Sequence, residues 1–292
     1  MIRISRDHVI CSFSRRHPPV ATVEPGTEIC FETWDTRTGS IQSEQDSLVL
    51  PSPNGPNPAT GPIFVRGAEP GDSLVVEILD IRVAERAFTG VKPDRGVLKH
   101  MIQRARTKMV DIRNGEAVFT EQIRFAIRPM IGTIGTAPAD RDVGNLHPGP
   151  HGGNMDHNDV RVGGRVHLPV FVPGGLLALG DVHASMGDGE ISIIALEVCG
   201  EVCVRVDLLQ AENIQRPWIE FPEAWITTGD GPTLDDAIRV AGEDMARLLQ
   251  RRLGLSVEDA YMLISIRGDV RISQCAEPSV VATTARIVMP VL

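Results

Sequence analysis

Five of the eight histidines, His147, His151, His157, His167 and His183, lie between positions 147 and 183, and Asp156, Asp159, Asp181 and Asp188 share that part of the chain. Imidazole together with carboxylate is the ligand set of Zn²⁺ and of non-haem Fe²⁺, whereas a Mg²⁺ or Ca²⁺ site uses oxygens alone. In the run LALGDVHAS a strand puts Asp181 and His183 on one face, because side chains alternate with period two. The small residues Ala178, Gly180 and Ala184 beside them leave room for a ligand. An isolated D-x-H also fits a strand end with a capping aspartate and a satisfied core histidine. In GPHGGNMD, Gly152 and Gly153 allow a sharp bend that brings backbone amides, with Asn154, to a substrate oxygen, and Asp156 follows. The same composition also makes an ordinary surface loop.

Two carboxylates are candidates for moving protons. Glu32, in ETWD, acts as acid or base if the strand buries it and raises its pKa; otherwise it is a solvated strand-end carboxylate. Asp188, in Gly187-Asp188-Gly189-Glu190, is a second candidate, or simply part of a hairpin turn. The chain has no G-x-S-x-G elbow, P-loop, H-E-x-x-H or strand-following G-x-G-x-x-G, so the common nucleophile, phosphate and metalloprotease signatures are absent and serine hydrolysis by the familiar route loses ground. Cys11, Cys30, Cys199, Cys203 and Cys275 lack CxxC spacing and read as buried free thiols.

Positioning these residues falls to many short strands. The 28 glycines and 21 prolines punctuate Val- and Ile-rich runs, the texture of a mainly β protein. ATVEPGTEICFET reads strand, Pro-Gly turn, strand; SLVVEILDI, RVHLPVF, LLALGDVHAS and EISIIALEV read as further strands. SPNGPNPATGP, from Ser52 to Pro62, reads as a long functional loop, since its four prolines oppose a regular element. Val97, Leu98, Met101 and Ile102 share a helical face and predict at most a short helix there. The clearest helix is capped by Thr233 and stopped by Gly254, and Ser256 starts a second toward Ile264. The resulting fold class is α+β, mainly β, with a C-terminal helical hairpin. A division into an N-terminal β part, 1–165, and a C-terminal α+β part, 166–292, fits this order.

A net charge of −9 with both signs interspersed gives no basic stripe for nucleic acid and no cationic amphipathic face for a membrane. The polar opening MIRISRDHVICSF and the lack of any long apolar run point to a cytoplasmic protein.

A long series of motifs resembles the acetamidase/formamidase family, in its prokaryotic branch: NPATGPIFVRGAEPGD from Asn57, PMIGTIGTAPA from Pro129, GPHGGNMD from Gly149, LPVFVPGGLLALGDVHASMGDGE from Leu168 and GDVRISQ from Gly268. The opening HVICSFSRRHPPVATVEPGTEICFETWDT extends the resemblance over nearly the whole chain. The resemblance implies hydrolysis of formamide, acetamide or similar short amides, jelly-roll-like sandwich elements, a homo-oligomer, and a divalent metal, zinc by usual assignment, with calcium as the other candidate. It raises Asp156, Asp181 and His183 as ligands, Glu32 and then Asp188 as proton carriers, and Asn57, Gly152, Gly153 and Asn154 as substrate contacts. The glycines and alanines around them imply a narrow pocket. Two other readings stay open: a cupin-like metal enzyme of different chemistry, and a non-catalytic β module around a structural metal.

Overall fold

The structure is a computed structural model that describes residues 1–48, 55–275 and 283–291. Two large sheets dominate it. The first orders nine strands as Ile2–Ile4, Thr27–Thr33, Gly200–Leu209, Ser73–Val83, Arg165–Pro169, Trp218–Phe221, Ala224–Gly231, Thr283–Pro290 and Asp269–Gln274. All neighbours are antiparallel except the first pair. The second sheet is built around Leu177–Ser185, which pairs antiparallel with Met130–Gly135, Leu196–Glu197 and Ala59–Val65. Strands from both sides of position 165 interleave in each sheet.

Alternation produces the core. Ile29 and Phe31, Leu74, Val76 and Ile78, and Val202, Val204 and Val206 all turn the same way from the first sheet. They meet Ile131, Leu177, Leu179 and Val182 of the second in one buried cluster. Each such side chain contributes roughly 1.5–3 kcal/mol on burial, so this seam is the main source of stability. Because Leu177–Ser185 lies inside its sheet with both neighbours in place, its polar residues are held rigidly against a dry interior.

The helical hairpin follows its capping signals. Helix α1, Leu234–Leu253, starts where the Thr233 hydroxyl accepts from the Asp236 amide at 3.2 Å and ends at Gly254 with φ 67°. Helix α2, Val257–Arg267, is capped by Ser256, which accepts from the Asp259 amide at 3.0 Å. Ala241, Met245, Leu248 and Leu249 of α1 pack on Trp218, Ile287 and Met289 of the first sheet. No helix among the described residues is long and apolar enough to cross a membrane.

Several local expectations change. Ala21–Val23 and Thr27–Thr33 do not pair with each other: the first joins Ile63–Val65 in the second sheet and the second joins the first sheet, so the Pro-Gly turn is a corner between sheets. Ala59–Val65 is a regular strand despite Pro62, within what read as a loop. Its irregular register against Leu177–Leu179 accommodates a residue with no amide to donate. Ser52 to Asn54 lie outside the described residues. The patch around Val97 forms only a 3₁₀ turn, Lys99–Met101, with Val97, Leu98 and Met101 exposed. EISIIALEV keeps strand geometry only at Leu196–Glu197, because Glu190 and Ile193 have φ of 41° and 70° and bend the chain. Cys30 and Cys203 face each other across adjacent strands and form a disulfide, where the sequence suggested buried free thiols.

Candidate active site

Leu177–Ser185 presents Asp181 and His183 to a cavity of about 240 Å³. Three other segments converge there. Asp156 follows the short strand Gly152–Asn154, Glu197 lies opposite His183 on Leu196–Glu197, and Glu190 comes from the bend between the two strands. All five are buried. His183 Nε2 sits 3.6 Å from Asp181 Oδ1 and 3.5 Å from Glu197 Oε1.

An amide scaffold holds this acid cluster. Asn57 donates from Nδ2 to Asn154 Oδ1 at 2.9 Å and to Asp181 Oδ2 at 2.7 Å, while its own Oδ1 accepts from the Thr36 hydroxyl. Asn154 donates to Asp156 Oδ2 at 2.6 Å and accepts from Thr133 Oγ1 at 2.6 Å. Both Nδ2 hydrogens of Asn57 are thereby committed to the scaffold, and none is left for a substrate oxygen. The backbone bends sharply to make this arrangement: Asn57, Asp156, Asp181 and Glu190 all have positive φ, between 41° and 56°. Such non-glycine conformations cost on the order of 1–3 kcal/mol each and persist where surrounding contacts over-determine them. Gly132 supplies the space, since a Cβ there would lie 2.7 Å from Asp156 Oδ1 and 2.9 Å from Asp181 Oδ2.

Electrostatics follow from packing carboxylates in a dry site. Burial, then the nearby Glu190 and Asp181 charges, raises Asp156 well above the usual range. Burial raises Glu190 to about 8, with Glu197 and Asp181 adding to it and His183 opposing. Glu197 is raised to about 8 by burial, with Asp181 and Asp156 adding to it. Burial disfavours the His183 imidazolium, but Glu197, Asp181 and Glu190 outweigh it and hold the proton on the ring. Without a cation, the cluster therefore neutralises itself with protons.

The donor set fits a divalent metal. Asp156 Oδ1, Asp181 Oδ1 and Glu197 Oε2 are buried with no hydrogen-bond partner. Donor atoms fall into two overlapping triples, Asp156/His183/Glu190 and Asp181/His183/Glu197, each within 4.8 Å of one another. Orphaned carboxylate oxygens around one imidazole are what a cation would satisfy.

The sequence candidates divide clearly. Asp156, Asp181, His183, Asn57 and Asn154 come together at this cavity. Glu32 does not: it is part-exposed, and its carboxylate lies 3.3 Å from Arg3 on the outer face of the first sheet. Asp188 stands two residues before Glu190 but turns away, held by both guanidinium contacts of Arg286 at 2.8 and 2.9 Å and by Asn158 Nδ2 at 2.7 Å. Gly152, Gly153, Ala178, Gly180 and Ala184 do not line the cavity. The glycines serve strand packing, as a Cβ at 152, 153 or 180 would meet backbone oxygen at 2.3–2.4 Å.

His151, His157 and His167 pack outside this cavity. His151 packs edge-on to Phe13, its pKa pushed down to about 4 chiefly by burial. His167 stacks on Trp218 and contacts Glu220 at 3.2 Å. His157 lies beside Asp159, 3.7 Å away. Glu190 and Glu197 were missed as site residues, as was Arg286. Its fully buried guanidinium ties Asp188 to Asp159 at 3.0 Å and so links the bend carrying Glu190 to the segment after Asp156. Arg286 lies far along the chain from either, and no local signal marks it.

Comparison with known proteins adds the lineage. The model of the Acetamidase/Formamidase family matches residues 6–146 and 144–291. The chain belongs to the acetamidase/formamidase family. An acetamidase from Bacillus halodurans is 39% identical, with a TM-score of 0.95 over 99% of this chain and 97% of that one. A predicted acetamidase/formamidase from Thermoanaerobacter tengcongensis is 40% identical, with a TM-score of 0.95 over 99% of this chain and 95% of that one. A formamidase from Methylophilus methylotrophus is 27% identical over 264 residues, covering 70% of this chain and 65% of its own length. The chain thus spans slightly under two thirds of that relative. In this acetamidase/formamidase chain, the motifs that carried the resemblance and the acid cluster coincide: GPHGGNMD and GDVHA supply Asp156, Asp181 and His183.

Proposed function

We propose that the chain hydrolyses short carboxamides to carboxylate and ammonia at this cluster, with a divalent cation, zinc by preference, held among Asp156, Asp181, His183 and Glu197. The observation that carries the reading is the group of orphaned buried carboxylate oxygens around His183 in a chain of this family. When bound, such an ion lowers the pKa of a water and polarises a carbonyl, which addresses both halves of the amide barrier.

The chain's own groups do the rest. The Asn57–Asn154–Thr133 network fixes the carboxylates in one geometry, so little reorganisation accompanies the reaction. Glu190 takes the proton-carrying role that the sequence suggested for Glu32 or Asp188. It lines the cavity and is the most accessible of the cluster's carboxyls, so it is the one placed to meet the leaving nitrogen. Glu197 accepts from the Ala195 amide at 3.1 Å and keeps the bend between Glu190 and Glu197 in place. The reading also carries a cytoplasmic, homo-oligomeric enzyme as an expectation from the sequence. Glu190→Gln tests it: bound metal should remain while ammonia release falls at least 100-fold, whereas undiminished turnover removes Glu190 from the chemistry.

A further inference from the structure

The cavity is larger than acetamide requires. At roughly 30 Å³ per water in the liquid, 240 Å³ is room for several waters, whereas acetamide has only about four non-hydrogen atoms. Its walls beyond the acid cluster include Leu48, Phe88, Ile193 and Ile194, together with the cations Arg37, Lys92 and Arg95, of which Arg95 pairs with Asp94 at 3.6 Å.

Arg37 sits in a turn built to hold it. Asp35 Oδ1 accepts from the amides of Arg37 at 2.8 Å and Gly39 at 3.0 Å, so this carboxylate fixes backbone. The preceding Thr36 is bonded to Asn57, and Asn57 to Asp181, which places Arg37 beside the reacting end of the cavity. Yet among the described residues no carboxylate lies within ion-pair distance of its guanidinium, and its Nε is buried without a partner. Burial pushes its pKa down, with only Asp35 opposing. A part-buried, unpaired guanidinium is costly, and that cost is recovered when a carboxylate binds across its planar fork.

We propose that the substrate is an amide that also bears a carboxylate, a monoamide of a short dicarboxylic acid, with Arg37 receiving the carboxylate while the amide lies at the acid cluster. This rests on the amidase reading above and adds the class of substrate. Chemically, water adds its oxygen to the amide carbon, the carbon–nitrogen bond breaks, and the products are the dicarboxylate and ammonium. A succinamate-sized molecule, of about eight non-hydrogen atoms, has room in the cavity. The competing role for Arg37 is as a general counter-charge to the buried carboxyls. That role acts equally on neutral and anionic substrates.

The test compares succinamate with its neutral counterpart butyramide, and with acetamide, by ammonia release. Hydrogen bonds to charged groups contribute about 1.5–3 kcal/mol, so wild type should favour succinamate over butyramide by about 10- to 100-fold in kcat/KM. Arg37→Gln should remove that preference, and Arg37→Lys, which keeps the charge without the fork, should restore part of it. In parallel, succinate should raise the melting temperature of wild type and not of Arg37→Gln. No ammonia from any amide overturns the amidase reading itself. Ammonia from neutral amides without a succinamate preference, equal losses on both substrates in Arg37→Gln, or absence of succinate protection overturns the assignment of Arg37.

Discussion

Stripping divalent ions from the protein should make its stability fall as pH rises from 6.5 to 8. The folded protein holds protons on Glu190 and Glu197 at about 8, whereas the unfolded chain has released them well below 6.5. Because the native state binds more protons, stability falls with pH across this window. One carboxyl kept protonated costs about 2 kcal/mol over 1.5 pH units, and two cost about 4. His183, also raised, acts in the same direction. His151, His157 and His167, with lowered pKa values, oppose this only near pH 6.5, where the unfolded imidazole is still half protonated, by under about 0.5 kcal/mol each. A loss of 2–4 kcal/mol should lower the melting temperature by roughly 5–15 °C in a chain of this size. The assay is calorimetry in chelator and in zinc at closely spaced pH values. Zinc, which displaces the protons, should flatten the slope, and Glu190→Gln/Glu197→Gln should lessen it in chelator, leaving the part owed to Asp156 and His183. A melting temperature in chelator that is constant or rises from pH 6.5 to 8 would refute the self-neutralised cluster.

Gly132→Ala pushes a methyl against Asp156 and Asp181, and should weaken zinc binding at least 10-fold by titration while the far-ultraviolet spectrum stays unchanged. Arg286→Met leaves Asp188 and Asp159 without their buried partner and should cost about 3–5 kcal/mol in denaturant unfolding; a cost under 1 kcal/mol would show that the pairs do not brace the bend. Below pH 6.5 His151 acts in the opposite direction to the carboxyls: at about 4 when folded, it should by itself take up to about 3 kcal/mol from stability between pH 6.5 and 4, and His151→Phe should lessen the loss in acid melts by that margin. An undiminished drop in that variant would exclude His151 as its source.

Much of the frame was legible in local pattern. Thr233, Gly254 and Ser256 announced both helices because capping is a property of adjacent residues. Asp181 and His183 were legible because period-two alternation needs only a strand. Glu190 was hidden because EISIIALEV alternates like a strand, while the left-handed backbone at Glu190 and Ile193 is imposed by tertiary contacts such as Gly189 with Ser273. Glu32 misled for the complementary reason: alternation placed it opposite the buried Phe31, on the face where Arg3 and Glu201 wait. Arg286 and the Cys30–Cys203 pair depend on partners distant in the chain, which no window of sequence brings together.

The central claim is tested most directly by measuring ammonia release from acetamide and succinamate together with bound metal, for wild type and His183→Ala purified side by side. The account predicts metal-dependent ammonia release by wild type that chelation abolishes and zinc restores, and loss of both metal and activity in a folded His183→Ala. Full metal occupancy and undiminished turnover in His183→Ala, or no ammonia from wild type with any divalent ion, would contradict it.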